Sequence, residues 1–316
     1  MTSGMLDPRS CLPQKKTKQD FLADVFLPNN IGFFILKGFG IIKLMNKNQY
    51  YQEIYNRFGC ITRARNCFLY TKKGIRLTDL YQENGRAILG WDGKSAFTFI
   101  KNTINRGQTG SFICQDKSRA EKAVSELFKS DRKVMYFYDQ KDALLAGTFF
   151  SAESTSFYKP WLKESPDFSQ VDSIIFAPPL PWTDSIFILA IKTDCINQLS
   201  SEKKLFAEQF INKSVKLPFS MECGITRALY NLIAELPLRE EKNWFLYDTV
   251  LTKYWTRKGP YLYPKIEQKD YDAFILHCLD CELTISPDYN TPSIVPFGAD
   301  RGVFTKLKNN PFEPKI

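Results

Sequence analysis

"FLYTKKGIRLTDLYQENGRAILG", residues 68–90, decides how the rest of the chain is read. Aromatic and apolar residues lie on either side of Lys73-Gly74, a turn signal because glycine accepts the left-handed backbone that a tight reversal needs. Two short strands are therefore expected between Phe68 and Leu80, joined at that turn. Asp79 closes the second strand, and a polar stretch with Gly85 leads to the Leu89-Gly90 step.

Working outward, residues 50–58 read as a short helix. Phe97, Ile100 and Ile104 recur at helical spacing, as do Ala120, Ala123, Val124, Leu127 and Phe128. The strand "KVMYFY" (133–138) follows, then a helix from Asp142 to Phe150. Residues 151–170, rich in serine and carrying two prolines, read as connecting structure. "SIIFA" (173–177) and "SIFILAIK" (185–192) are continuous apolar strands, which a sheet covered on both faces requires. Ile225, Leu229, Leu232, Ile233 and Leu236 mark one face of a helix that Pro237 ends. "YDAFILHCLDC" (271–281) places Tyr271, Phe274, Ile275, Cys278 and Leu279 on one stripe, and "ELTISP" then supplies a short strand. Alternating strands and helices predict an α/β protein with a smaller C-terminal α+β part. The expected divisions are residues 1–44 as an N-terminal extension, 45–256 as a large domain and 257–316 as a small subdomain. The apolar run at 31–45 lacks a clean period. Met45 is either the natural start or preceded by a polar tail and a buried strand pair.

A 316-residue chain that is 44% hydrophobic can bury a sizeable core. The net charge of +9 favours acidic partners, yet the basic residues are scattered and form no arginine-rich arm. Eight dispersed cysteines suit a reduced, cytoplasmic protein, and the run at 31–45 is too short and too interrupted by Lys37 and Lys43 to span a membrane.

Catalytic motifs are sparse. His277 is the one histidine, so any serine or cysteine triad would have to use it, and no nucleophile or orienting acid accompanies it. His277, Cys278 and Cys281 leave a tetrahedral metal site incomplete, and packed thiols are the expected role. "GFG" (38–40) lacks the third glycine of a dinucleotide fingerprint, and no Walker-type loop occurs.

Residues 68–90 resemble the N-terminal signature of class III aminotransferases, which are fold-type I pyridoxal-phosphate enzymes. The family's aromatic-led hairpin, turn glycine, aspartate and Leu-Gly pair fall on Tyr70, Gly74, Asp79 and Leu89-Gly90. "AFTFIKNTINRGQTGSF" (96–112) is similar to the family's next helix and its exit. "KVMYFYDQKDALLAG" (133–147) is similar to the strand that delivers the phosphate-binding loop to a helix, and residues 274–307 to the small-domain segments. The resemblance implies an aminotransferase-like sheet covered by helices, pyridoxal phosphate as cofactor, and a dimer. It requires a Schiff-base lysine, an acid for the pyridinium nitrogen and a phosphate cradle. The best matches are Lys192 and Asp184 as catalytic residues, with Gln140 and Lys141 in the phosphate loop.

The departures from the family cluster at that chemistry. Asp139-Gln140-Lys141-Asp142 replaces a loop of small residues, and its two carboxylates oppose a phosphate dianion. One short strand joins Asp184 to Lys192, where the family has a strand, a helix and further chain. Val295, not arginine, precedes Pro296, and Arg301 holds a different local position. The expectation is therefore a degenerate aminotransferase-like protein without ordinary transamination and without the cofactor. It would hold a small anionic metabolite or an enzyme partner, as a homodimer or as a heterodimer with a related enzyme. The alternatives are an active aminotransferase with a rearranged site built on Lys192 and Asp184, and a basic nucleic-acid-binding protein.

Overall fold

Ile174 and Phe176 alternate with Ile175 along one strand, and Ile188 and Ala190 alternate with Leu189 and Ile191 along the next. A strand sends successive side chains to opposite faces, so both faces of this sheet are apolar and both must be covered. In the computed structural model, which describes residues 45–114, 119–151, 153–182 and 186–314, both are. Ile174, Phe176, Ile188 and Ala190 pack against Val124 and Phe128 of helix Arg119–Phe128 and Ile225 and Leu229 of helix Phe219–Glu235. Ile175, Leu189 and Ile191 pack against Ala143, Ala146 and Phe150 of helix Gln140–Phe150 and Ala207 of helix Ser201–Lys213. Each isoleucine, leucine, valine or phenylalanine among them contributes roughly 1.5–3 kcal/mol on full burial.

The strands, in chain order, are β1 (Ile61–Arg65), β2 (Phe68–Thr71), β3 (Arg76–Asp79), β4 (Arg132–Phe137), β5 (Thr155–Phe157), β6 (Ser173–Phe176), β7 (Phe187–Lys192), β8 (Trp255–Lys258), β9 (Tyr261–Pro264), β10 (Leu283–Thr284) and β11 (Ser293–Ile294). The covered sheet runs β4-β7-β6-β5. β7 is antiparallel to both neighbours, and β5 is parallel to β6. The expected hairpin is present as β2 and β3, with Gly74 at φ 79 in the turn. β5 falls inside the segment expected to be connecting structure. Its three residues pair with β6 despite the serines before them and Pro160 after them.

A second core joins both ends of the described chain. β10 lies parallel to β3 and completes the order β1-β2-β3-β10, so Thr284 stands beside Asp79. Helix Lys47–Phe58 begins before the expected Tyr50 because Asn46 and Gln49 form a reciprocal capping box. Its Tyr50, Ile54 and Phe58 pack with Leu77, Trp255, Phe274, Cys278 and Leu283. Phe274 and Cys278 belong to helix Tyr271–Asp280, whose five buried side chains are those the sequence places on its stripe. β8, β9 and β11 form a small antiparallel sheet.

The described residues lie in one unit, Leu44–Ile316. The N-terminal extension expected at 1–44 lies outside them. Among the described residues, no helix is long and apolar enough to cross a membrane.

Candidate functional site

Gln140 and Lys141 open helix Gln140–Phe150 directly after β4, and both are exposed. The start of a helix offers free N–H groups and a positive dipole end to an anion. Here Asp139 takes that place itself: it is the N-cap, and its carboxylate accepts a hydrogen bond from the Lys141 backbone N–H at 2.6 Å. Asp142, one residue further on, adds a second carboxylate that accepts from the Lys213 ammonium at 3.2 Å.

Lys192 ends β7. Because β7 runs antiparallel to β4, Lys192 pairs with Arg132, the first residue of β4, whereas Gln140 follows that strand's other end. A strand of this length separates its ends by roughly 17–20 Å. The structure therefore does not bring Lys192 together with Gln140 and Lys141. The Lys192 ammonium donates to the Gln170 carbonyl at 2.7 Å and lies 3.9 Å from the Asp172 carboxylate. Asp184 lies outside the described residues. His277 meets the Asn310 carbonyl at 2.9 Å, and Cys278 and Cys281 are buried thiols, the packed arrangement the sequence predicts. Among the described residues, no group of three metal-ligating side chains is assembled.

A different constellation gathers around Arg239, which sequence reading did not single out. Helix Phe219–Glu235 ends in a short 3-10 turn at Pro237, and this brings Arg239 back over Glu235. Arg239 is 6% exposed. Its Nε donates to the Glu235 carboxylate at 3.0 Å and its Nη1 to the Ile88 carbonyl at 2.8 Å. The guanidinium carbon lies 3.9 Å from the centre of the Phe297 ring and 4.9 Å from that of Trp161. Lys94 pairs with the other oxygen of Glu235. Burial pushes the pKa of Glu235 up, but hydrogen bonds from Lys94 and Arg239 outweigh it and hold the carboxyl below its usual value.

Arg239, Glu235, Lys94, Phe297 and Ile88 line a cavity of about 240 Å³, walled also by Asn66, Cys67, Gln82, Ala87, Leu89, Gly90, Asp92 and Gly298. The residue 80–90 wall is held from below by Asp79. This carboxylate is 2% exposed and accepts from Tyr81 N–H, Gln82 N–H, the Trp91 indole and the Thr284 hydroxyl at 2.7–3.0 Å. The Asp79 and Leu89-Gly90 positions picked out by the hairpin motif thus support and line this cavity.

Trp161 is in turn fixed by Gly259. A Cβ at Gly259, where φ is 57, would run into the Trp161 carbonyl oxygen. Gly259→Ala is expected to displace residues 160–162 and lower stability by about 1–3 kcal/mol. Thermal melting with tryptophan fluorescence checks this, and an unchanged melt would remove Gly259 from the support of Arg239.

No family model matches the chain. An uncharacterized protein of Treponema pallidum (strain Nichols) is 24% identical over 284 residues, which span 78% of this chain and 92% of that relative. Two solved structures share the fold. An acetylornithine aminotransferase from Elizabethkingia anophelis has a TM-score of 0.54 at 11% identity, over 84% of this chain and 98% of its own. The ornithine aminotransferase from Toxoplasma gondii, solved with partial occupancy of pyridoxal phosphate, has a TM-score of 0.56 at 8% identity, over 93% of this chain and 97% of its own. The chain thus has an aminotransferase-like fold, and its structural neighbours are pyridoxal-phosphate enzymes.

The described residues do not fit that cofactor at the positions the resemblance assigns. The helix start after β4 is covered by the carboxylate of Asp139, and Lys192 stands at the other end of the sheet, paired.

Proposed function

We propose that this chain is an aminotransferase-like scaffold that binds a small anionic metabolite and does not carry out ordinary transamination. The observation that carries this reading is the Asp139 cap on helix Gln140–Phe150. A phosphate approaching that helix start would meet a carboxylate already bonded to the Lys141 N–H, so the site repels the group that anchors the cofactor. Lys192 supports the same reading from the other end of the sheet. Its ammonium donates to the Gln170 carbonyl and lies beside the Asp172 carboxylate, at the end of β7 away from Gln140 and Lys141.

The test supplies pyridoxal phosphate and measures amino-group transfer from L-ornithine to 2-oxoglutarate. The expected rate is that of the protein-free mixture. Turnover that scales with protein concentration and disappears in Lys192→Ala would establish the active enzyme instead.

A further inference from the structure

We propose that the cavity around Arg239 is a binding site for a small, singly charged carboxylate. This rests on the metabolite-binding reading above and gives it a place and a charge.

The first support is a buried cation with donor capacity left over. A guanidinium carries five N–H groups in a planar fork. In Arg239 the neighbours use Nε and Nη1, and among the described residues Nη2 has no protein partner. A carboxylate is the acceptor whose geometry matches the fork. The fork is also held in place by Glu235, Ile88, Phe297 and Trp161, so little freedom remains to be lost when a ligand binds.

Charge and volume set the class. Lys94 and Arg239 supply two positive charges, and both pair with the carboxylate of Glu235. Asp92 stands in the same wall with one negative charge. With Asp92 counted the lining is neutral overall, so a monoanion leaves it one charge negative and a phosphate dianion two. The Cys67 thiol adds no charge, because burial pushes its pKa up to about 11. About 240 Å³ is below the usual range for drug-sized ligands and suits a compact acid.

The experiment uses the full chain and ligand-observed NMR titrations with acetate, L-lactate and benzoate as probes. Lactamide serves as the neutral control and inorganic phosphate as the dianion. At least one carboxylate is expected to bind in the millimolar range, with phosphate at least tenfold weaker and lactamide silent. Lys94→Met removes one of the two cations, at a partly exposed position, and should weaken the carboxylate at least tenfold without lowering the melting temperature much. Asp92→Asn should narrow the gap between carboxylate and phosphate. Binding by none of the three acids, phosphate binding as tight as theirs, or an unchanged affinity in Lys94→Met would each overturn the proposal. Failure here without transamination activity removes this site alone. Activity with pyridoxal phosphate would instead remove the reading on which it rests.

Discussion

Asp79→Ala is expected to destabilise the protein by more than about 3 kcal/mol, and to do so through the loop that walls the cavity. Gln82, Glu83 and Asn84 sit at φ 49, 48 and 57, followed by Gly85 at 85. Three consecutive non-glycine residues in the left-handed region are each strained by roughly 1–2 kcal/mol, so something must hold them there. The Asp79 carboxylate does this. It accepts from Tyr81 and Gln82 at the entry of the turn, from Trp91 beyond its exit and from Thr284 on β10. Alanine would leave four donors without their acceptor in a buried place. Hydrogen exchange should show residues 80–91 losing protection before the rest of the chain, with a matching change in Trp91 fluorescence. Asp79→Asn keeps one acceptor oxygen and should recover part of the loss. A melting curve like that of the unaltered protein would mean that the turn holds itself.

Arg132→Met should cost about 3–5 kcal/mol, or a fall of roughly 10 °C in Tm. Arg132 is the first residue of β4 and is 1% exposed. Its Nη2 donates to the carbonyls of Phe168 and Val171, both at 2.7 Å, and its Nη1 to those of Asp172 and Ala190 at 3.2 and 3.3 Å. Nε donates to the Ser130 hydroxyl at 2.8 Å. One guanidinium therefore ties β7 and the approach to β6 to the start of β4, and burial pushes its pKa down to about 10. Methionine fills the volume but leaves those carbonyls unmatched. Arg132→Lys should recover little, because a single ammonium cannot reach a set of acceptors arranged for a planar fork. Urea unfolding of the three proteins side by side checks both statements. Equal stability of the methionine variant would show that water replaces the guanidinium there.

The hairpin and the covered sheet were legible in the sequence because their patterns are local. Lys73-Gly74 marks a turn between two short runs, and β6 and β7 are apolar on both faces. Helix Ser201–Lys213 was not legible. Ala207 is its one fully buried residue, while Leu205, Phe206 and Ile211 are exposed and blur any stripe. β10 falls within the strand expected at "ELTISP", but β5 and β11, of three and two residues, exist through pairing with distant strands, a tertiary effect that no short window carries. The same reason hid Arg239. Glu235 is a visible i,i+4 partner, but Ile88, Trp161 and Phe297 come from three remote segments. Lys192 illustrates the converse. The resemblance offers it as the Schiff-base lysine, yet the antiparallel course of β7 carries it to the end of the sheet away from Gln140 and Lys141.

The most direct test of the central claim is the absorption spectrum of the full chain after incubation with pyridoxal phosphate and exhaustive dialysis, followed by borohydride reduction and peptide mapping. The Asp139 cap and the paired Lys192 predict a colourless protein with no lysine carrying a reduced pyridoxyl group in stoichiometric amount. A stable yellow complex whose reduction fixes one pyridoxyl group per chain on a single lysine would contradict the account.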